Sequence, residues 1–252
     1  MSGQQALILL HGGQHGSWCW EPLVSTLRAD GETRRIIALD MPGCGHKRAA
    51  EGHGNDRIDD IAAGLVAELR GAGVQGAVLL GHSIAGVLMP RMATLAPDLF
   101  AHLVFLATAV PEQGQSVMQM FGGGLQGEDP DHIGWPLDPA TVDPLELSKA
   151  MFGADLGPEQ LSWLLSEVAQ DHIAESLQYE PVDRRGYRGL VESTYILTLR
   201  DAVLPVAWQR KFAERLGCAE VVPIDTPHEP FISHPRLLAD AVRSVLAGSS
   251  RS

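Results

Sequence analysis

Short, unbroken hydrophobic stretches recur along the chain and alternate with longer segments of helical periodicity. Six such stretches cover residues 6–10, 35–40, 77–81, 103–107, 195–199 and 220–224. Apolar positions with a period of about 3.6 residues predict helices over residues 18–29, 57–70, 84–96, 208–216 and 235–246. Short strands without polar alternation are typical of a sheet that is buried on both faces. The pattern therefore predicts an α/β fold with a mostly parallel, doubly wound sheet.

The regular alternation is interrupted between the fourth and the fifth predicted strand. Gly, Pro and Asp are frequent there, and segment 157–169 has apolar residues at helical spacing, with Pro158 suited to a first helical turn. We interpret residues 111–190 as an inserted, mostly helical lid, and residues 1–110 and 191–252 as the core. The aromatic and methionine side chains of the lid either line an adaptable apolar pocket or only pack the lid onto the core. The candidates for such a pocket are Met118, Phe121, Trp135, Phe152 and Trp163.

Composition and charge narrow the classes of partner. The 252 residues are 45% hydrophobic and 20% charged, as in ordinary globular proteins. Asp and Glu outnumber Lys and Arg by 31 to 19, so the net charge is −12. The sequence has no run of Lys or Arg that would neutralise phosphates, and we therefore expect no nucleic-acid partner.

The N-terminal segment indicates neither secretion nor membrane insertion. It has no basic residue ahead of its first apolar run, and that run ends at His11, far short of the roughly 20 residues that span a bilayer. Cys19, Cys44 and Cys218 are scattered, without the spacing of a disulfide framework or a zinc site. We expect a cytoplasmic protein with reduced thiols, no membrane association and no metal.

The segment Leu79–Gly86, LLGHSIAG, places a serine between the third predicted strand and a helix. In the nucleophile elbow G-x-S-x-G, a serine occupies a strained strand-to-helix turn, and small neighbours let strand and helix approach closely. Here Ala85 stands where the signature has its second glycine, and Gly86 follows. We interpret Ser83 as a catalytic nucleophile; the alternative is a tight corner without chemical function.

A serine hydroxyl is a weak nucleophile until a histidine takes its proton and an acidic side chain orients that histidine. In proteins with the elbow, the acid and the histidine follow the serine in that order. Asp201 comes just after the fifth predicted strand and His228 just after the sixth. Asp225 is a second candidate for the acid because it is near His228 in sequence. We prefer Asp201 because it occupies the expected place at a strand end.

The oxyanion that forms during acyl transfer requires two backbone N–H donors. Ile84, the residue after the nucleophile, is expected to supply one of them. The first predicted strand ends in His-Gly-Gly, a flexible loop in which Gly13 is our candidate for the second donor. Alone, this loop is equally consistent with a simple turn. We place His11 and Gly12 of the same loop beside the substrate.

These segments together resemble the α/β-hydrolases of the plant methylesterase and hydroxynitrile lyase group and their bacterial relatives. LLHGGQHGSWCWEPL is similar to the N-terminal signature of that group, and IALDMPGCG, LLGHSIAG, LRDAVLPVAWQRKFAERLG and TPHEPFISHPRLL follow in family order. The resemblance implies an α/β-hydrolase fold, with Ser83, Asp201 and His228 as a catalytic triad and Gly13 and Ile84 as amide donors. It also implies that the protein uses no cofactor. Members of the group are frequently homodimers, so a homodimer is a possible state of this protein.

Two positions separate this sequence from the lyase branch of that group. In the lyases, a threonine replaces the glycine that matches Gly12, and a lysine after the catalytic histidine holds the departing cyanide. Here the second position is Glu229, whose acidic side chain would repel cyanide. The esterase branch usually has an apolar residue there, so Glu229 indicates a different leaving group or a polar substrate and joins the candidate pocket residues.

The main hypothesis is a serine carboxylic-ester hydrolase that forms an acyl-enzyme on Ser83. Its substrate would be a small-molecule ester, with a methyl ester of a hydrophobic acid as the best fit to an apolar lid. A second hypothesis uses the same triad for elimination, lactone or carbon–carbon bond cleavage, with cyanohydrin cleavage as the specific case. A third is a hydrolase-fold protein that binds a small molecule and has only vestigial turnover, which the complete triad argues against.

Overall fold

The computed structural model describes residues 5–49, 56–122, 125 and 132–249. Its strands are β1 (Leu7–Leu10), β2 (Ile36–Leu39), β3 (Ala77–His82), β4 (Phe100–Leu106), β5 (Ser193–Thr198) and β6 (Glu220–Ile224). They form one sheet in the order β2-β1-β3-β4-β5-β6. Every neighbouring pair in this sheet is parallel. The predicted α/β fold with its mostly parallel sheet is confirmed.

Helices cover the sheet on both sides. They are α1 (Glu21–Ala29), α2 (Ile58–Gly71), α3 (Ala85–Leu95), α4 (Val117–Phe121), α5 (Pro144–Phe152), α6 (Pro158–Val168), α7 (Ser176–Tyr179), α8 (Val206–Leu216), α9 (Pro230–Ser233) and α10 (Pro235–Ser249). The helix predicted over residues 18–29 is divided, because a 3-10 turn at Ser17–Trp20 precedes α1. Among the described helices, none is long and apolar enough to cross a membrane.

The central strands are hydrophobic at nearly every position because both of their faces are covered. All residues of β1 and β3 are buried, whereas the edge strands β2 and β6 are mostly half-buried or exposed. Full burial of a leucine or isoleucine side chain contributes roughly 1.5–3 kcal/mol. The centre of the sheet is therefore the rigid base on which the loops at its edge are built.

The carboxyl ends of the parallel strands lie along one edge of the sheet. The loops after β1, β3, β5 and β6 begin at this edge, where open α/β sheets bind their ligands. They carry the His-Gly-Gly segment, Ser83, Asp201 and His228. The topology thus gathers side chains that are separated by more than a hundred positions in the sequence.

The connection between β4 and β5 contains α4, α5, α6 and α7, and α6 is the helix predicted over segment 157–169. Asp171, which follows α6, is fully buried. Its carboxylate accepts hydrogen bonds from Trp18 Nε1 at 2.6 Å, Gly45 N–H at 2.8 Å and Arg48 Nε at 2.6 Å. These bonds attach the inserted segment to the loops that follow β1 and β2. Residues 123, 124 and 126–131 of the predicted lid lie outside the described residues.

Candidate active site

Ser83 occupies a strained turn between β3 and α3. Its φ is +52°, in the left-handed region that non-glycine residues rarely adopt. The turn is held by two backbone bonds, one to the last residue of β4 and one to the segment that follows it. The Ser83 N–H donates to the Leu106 carbonyl at 3.2 Å, and the Ala109 N–H donates to the Ser83 carbonyl at 2.9 Å. This geometry fits the elbow that the sequence predicts.

The small residues of the elbow have different structural reasons to be small. A Cβ on Gly81 would lie 2.3 Å from Met89 Sδ and 3.0 Å from the Ala85 Cβ, and a Cβ on Gly86 would lie 2.5 Å from the Ala109 carbonyl oxygen. Ala85 already carries its Cβ and is fully buried. The close backbone approach therefore occurs at Gly86, one residue after the second glycine of the G-x-S-x-G signature. The side chain of Ala85 is accommodated because Gly81, which lies opposite it, has no side chain.

Ser83, His228 and Asp201 form a continuous chain of hydrogen bonds. His228 Nε2 lies 3.2 Å from Ser83 Oγ, and His228 Nδ1 lies 2.7 Å from Asp201 Oδ2. Since an ionised carboxylate only accepts, Nδ1 carries the proton and Nε2 is free to accept the serine proton. Both the histidine and the aspartate side chains are at most 1% exposed. The three residues are arranged as a nucleophile, a base and an orienting acid.

Asp201 is fixed by hydrogen bonds that the sequence did not reveal. Its Oδ1 accepts the N–H groups of Val203 and Leu204, both at 2.8 Å, and its Oδ2 accepts the Thr198 hydroxyl at 2.7 Å. The fully buried Gln209 of α8 bonds Thr198 and donates to the Leu204 carbonyl at 2.8 Å. The sequence signal of this role was a glutamine on the apolar face of a predicted helix, because a buried polar side chain requires hydrogen-bond partners.

Asp225, the alternative acid, lies elsewhere. It is exposed, and its carboxylate accepts from Arg200 Nε at 2.9 Å. Although Asp225 is near His228 in sequence, it does not orient the histidine ring. His228 Nδ1, the nitrogen available to an orienting acid, bonds Asp201 instead.

The environment of His228 acts on its pKa in opposite directions. Burial by itself lowers the pKa, but the charge and hydrogen bond of Asp201, with a contribution from Glu229, raise it above the ordinary value of 6.5. An imidazolium at this position is therefore stabilised by Asp201. This is the form that His228 would take after receiving a proton from the serine.

The two predicted amide donors, Gly13 and Ile84, both line the cavity in front of Ser83. Neither N–H has a hydrogen-bond acceptor among the described residues. The Gly13 carbonyl accepts a hydrogen bond from Nδ1 of the buried His15 at 2.7 Å. His15 thus holds the loop that carries Gly13, a role that sequence reasoning missed.

The cavity is mainly apolar and is formed by the sheet edge and the inserted helices. Five predicted pocket residues line it: Met118, Phe121, Trp135, Phe152 and Glu229. The lining also includes residues that the sequence did not single out, among them Gln14, His82, Val117, Leu147, Met151, Ile173 and Val203. Their signal was weak because isolated aliphatic residues in loops and short helices look like ordinary packing residues.

Two residues of the His-Gly-Gly loop do not line the cavity, contrary to the prediction. His11 is fully buried, its Nδ1 lies 2.7 Å from the Gly12 carbonyl, and its Nε2 accepts the Met41 N–H at 3.0 Å. Both of its nitrogens serve the backbone. Gly12 lies behind the nucleophile, where a Cβ would be 2.8 Å from His82 Nδ1 and 3.0 Å from the Ser83 Cβ. A glycine there lets the loop approach the elbow.

Trp163 is a further correction, because it also lies outside the cavity wall. Its ring packs edge-on against Trp18, with ring centroids 5.2 Å apart, while Trp18 donates to Asp171. Trp163 therefore helps to attach α6 to the core, as the packing alternative for lid aromatics predicted.

His82, His228 and Glu229 have one potential metal-ligating atom each within 4.8 Å of one another. The two nitrogens of His228 already bond Asp201 and Ser83, and His82 Nε2 donates to the His228 carbonyl at 2.9 Å. A metal ion at this position would have to replace one of the bonds of the triad. The residues thus fit the triad better than a metal site.

Comparisons with known proteins found matches over most of the chain. Residues 7–241 match the alpha/beta hydrolase family. Norfluorocurarine synthase 2 from Strychnos sp is 28% identical over 95% of this chain and 94% of its own length. Methylesterase 9 from Arabidopsis thaliana is 25% identical over 94% and 96%.

Solved structures show the same fold. A pyrethroid hydrolase from Sphingobium faniae superimposes with a TM-score of 0.74, at 24% identity, over 98% of this chain and 99% of its own. The family match extends over most of the chain, from β1 into α10. On this evidence, the chain belongs to the alpha/beta hydrolase family.

Proposed function

We propose that the protein is a serine esterase that hydrolyses small carboxylic esters through an acyl-enzyme on Ser83. The observation that carries the proposal is the unbroken chain of hydrogen bonds from Ser83 Oγ through His228 to Asp201 Oδ2. Beside it are the N–H groups of two residues of the cavity wall, Gly13 and Ile84, which have no acceptor in the part of the chain that the structure describes. Similarity to a methylesterase over almost the full chain supports the same chemistry.

In the first half-reaction, Ser83 Oγ attacks the ester carbonyl carbon while its proton passes to His228 Nε2. The carbonyl oxygen becomes an oxyanion, which the N–H groups of Gly13 and Ile84 would stabilise. The imidazolium then donates its proton to the departing alkoxide, the carbon–oxygen bond to the alcohol breaks, and the acyl group stays on Ser83.

In the second half-reaction, His228 removes a proton from water, and the hydroxide attacks the acyl carbon. Collapse of this second oxyanion breaks the bond to Ser83 Oγ, which recovers its proton from His228. The carboxylic acid is released. Asp201 accepts the Nδ1 proton throughout and holds the ring in the tautomer that both steps require.

The cavity favours an ester with a hydrophobic acyl part. Val117, Met118, Phe121, Met151 and Phe152 provide apolar wall, and the methionines are adaptable in shape. An aryl or branched aliphatic acid would bury its hydrocarbon part there, and a small alcohol such as methanol would need little further space.

The decisive experiment is to trap the acyl-enzyme. Wild-type protein mixed with a 4-nitrophenyl ester should gain the mass of the acyl group on the peptide that contains Ser83, and should release a burst of 4-nitrophenol. Ser83→Ala should lose the adduct and reduce kcat by a factor on the order of 10⁴ to 10⁶. Ser25→Ala, at an exposed serine of α1 that does not line the cavity, is the matched control and should retain both signals. Unchanged turnover in Ser83→Ala would rule out this mechanism.

A further inference from the structure

The peptide group between Gly12 and Gly13, whose N–H is one of the proposed oxyanion donors, is held at its carbonyl by a buried histidine. His11 Nδ1 lies 2.7 Å from the Gly12 carbonyl oxygen, and His11 Nε2 lies 3.0 Å from the Met41 backbone nitrogen. A backbone N–H only donates and a carbonyl only accepts. Nε2 therefore accepts from Met41, and Nδ1 carries the proton that is donated to Gly12. The backbone on both sides of the ring fixes this tautomer.

A second histidine holds the next peptide group along the loop. Nδ1 of the fully buried His15 donates to the Gly13 carbonyl at 2.7 Å. This bond closes around Gln14, whose φ of +57° lies in the left-handed region that a glutamine rarely adopts. Strained backbone of this kind persists only where the surrounding structure determines it. Both peptide groups that flank the Gly13 Cα are therefore bound by a buried histidine.

The ring of His15 is itself fixed by aromatic packing. It stacks on Trp18, with ring centroids 5.2 Å apart and an angle of 20° between the ring planes, and it meets Phe152 edge-on with centroids 5.0 Å apart. Burial lowers the pKa of His15 to about 4 and also lowers the pKa of His11. At pH 7 both rings are therefore neutral, and each donates one hydrogen bond to the loop.

The packing of the two glycines places this peptide group beside the nucleophile. A Cβ on Gly12 would lie 3.0 Å from the Ser83 Cβ. A Cβ on Gly13 would lie 3.9 Å from Ile84 Cγ2, so the two residues that supply the proposed donors are neighbours. The Gly13 N–H has no acceptor among the described residues. It is therefore available to an oxyanion on the carbon that Ser83 attacks.

We propose that His11 and His15 are positioning residues that orient and strengthen the Gly13 N–H as an oxyanion donor. Neither ring lines the cavity, so both act through the peptide groups that they bind. A hydrogen bond accepted by an amide carbonyl polarises the amide and strengthens the bond that its N–H donates. His11 acts on the amide that contains the Gly13 N–H, and His15 holds the following amide. This inference rests on the proposed esterase function, because the donor is used in acyl transfer.

Two substitutions of His11 separate its bond to Gly12 from the packing of its ring. The side-chain nitrogen of asparagine reaches the place of Nδ1, so His11→Asn keeps the donor to Gly12 and loses the bond to Met41. Glutamine reaches the place of Nε2, so His11→Gln keeps an acceptor for Met41 and loses the donor to Gly12. Glutamine also leaves the smaller cavity, which costs less stability. Stability and catalysis should therefore rank the two variants in opposite orders.

The measured quantity is the rate constant of acylation by 4-nitrophenyl butyrate, taken from the burst of 4-nitrophenol. His11→Gln should lower it by a factor on the order of 10 to 100, because the loss of an oxyanion donor affects the transition state. The apparent dissociation constant of the ester should change by less than about threefold, since the donor contributes little to ground-state binding. A trifluoromethyl ketone, which forms an oxyanion on Ser83, should bind more weakly by the same factor as the loss of rate.

His11→Asn should retain the acylation rate constant of wild type within about fivefold, since it keeps the donor, and should unfold at a lower urea concentration than His11→Gln. The matched control is His102→Gln, which removes a buried histidine of β4 that is bonded to Thr194 and does not line the cavity. It should leave the rate constant within about twofold of wild type, because additive effects are expected from a site without shared partners.

The possible results separate this inference from the esterase proposal. Unchanged acylation in His11→Gln, an equal loss in both His11 variants, or a larger loss in His11→Asn would overturn the positioning role and leave the esterase standing. Absence of acylation of Ser83 in wild-type protein would overturn both proposals. Should His11→Gln fail to fold, the same pair at His15 decides, because His15→Asn keeps the donor to Gly13 and should acylate at least about 10-fold faster than His15→Gln.

Discussion

Asp201 and Asp225 show how local hydrogen bonding decides between two chemically identical side chains. Asp201 accepts two backbone N–H groups and one hydroxyl, so its carboxyl is oriented before His228 binds to it. Asp225 is exposed to solvent, and its carboxylate pairs with the exposed side chain of Arg200. For a catalytic triad, a carboxyl that is already held in the correct orientation matters more than one that is close to the histidine in sequence.

The roles of the two aspartates can be separated by matched amide substitutions. Asp201→Asn should lower kcat for ester hydrolysis by a factor on the order of 10⁴, because an amide stabilises the wrong tautomer of the histidine. Asp225→Asn should change kcat by less than about twofold, since it loses only an exposed ion pair. Steady-state kinetics at pH 7 measures both. Equal losses in the two variants would contradict the assignment of Asp201.

At the scale of elements, the elbow depends on how closely α3 and the segment after β4 approach. Gly86 is the point of contact, because the Ala109 carbonyl oxygen and the Thr108 Cβ would lie 2.5 and 2.8 Å from any added Cβ. A backbone carbonyl cannot turn aside as a flexible side chain can. The contact also positions Ser83, whose carbonyl accepts from Ala109.

Two glycine-to-alanine substitutions in helices should have opposite effects on the free energy of unfolding. Gly86→Ala should lower it by about 1–3 kcal/mol through overpacking and should reduce esterase activity with it. Gly64→Ala, in the exposed middle of α2 with no heavy atom within 4 Å of its Cβ, should raise it by about 0.5–1 kcal/mol through helix propensity. Urea unfolding measures both. A neutral Gly86→Ala would show that the approach is looser than described.

The loop after β5 and the helix α8 also act as one unit. Gln209 donates to carbonyls at the end of β5 and in the loop, so the helix holds the segment that carries Asp201. The inserted segment is attached in the same manner by Asp171, which bonds residues after β1 and β2. The site is therefore supported by side chains that never reach the cavity.

At the scale of the whole molecule, burying Glu229 makes folding sensitive to pH. Burial raises the pKa of Glu229 from the ordinary 4.5 to about 8, so between these values the folded protein binds a proton that the unfolded chain releases. The free energy of unfolding must then fall as pH rises through this window.

Removing this carboxyl should remove the pH dependence. Between pH 5 and pH 9, Glu229 should cost wild-type protein roughly 4 kcal/mol of unfolding free energy. Glu229→Gln should lack that decline, because an amide does not titrate. Urea unfolding of both proteins at several pH values isolates this contribution, since the other titrating groups are shared. Parallel pH profiles would show that Glu229 is already ionised at pH 7.

The sequence by itself determined the fold class, the order of strands and helices in the core, and a short set of reactive candidates. Hydrophobic periodicity reports burial directly, and the elbow around Ser83 is a local signal because its backbone strain demands small neighbours in fixed places. Asp201 and His228 followed from their positions after strands. These properties depend on neighbours along the chain, which a single sequence contains.

Only the tertiary structure decided which candidates meet and what surrounds them. His11 and Trp163 proved to serve packing and backbone bonds, whereas Gln209 and His15 proved to support the site. Glu229 was visible as an unusual residue, but its complete burial, with no hydrogen-bond partner for its carboxyl oxygens among the described residues, was not. Trp163 meets Trp18, and Glu229 meets His15, across more than a hundred positions of the sequence, and no periodicity within either segment records such a contact.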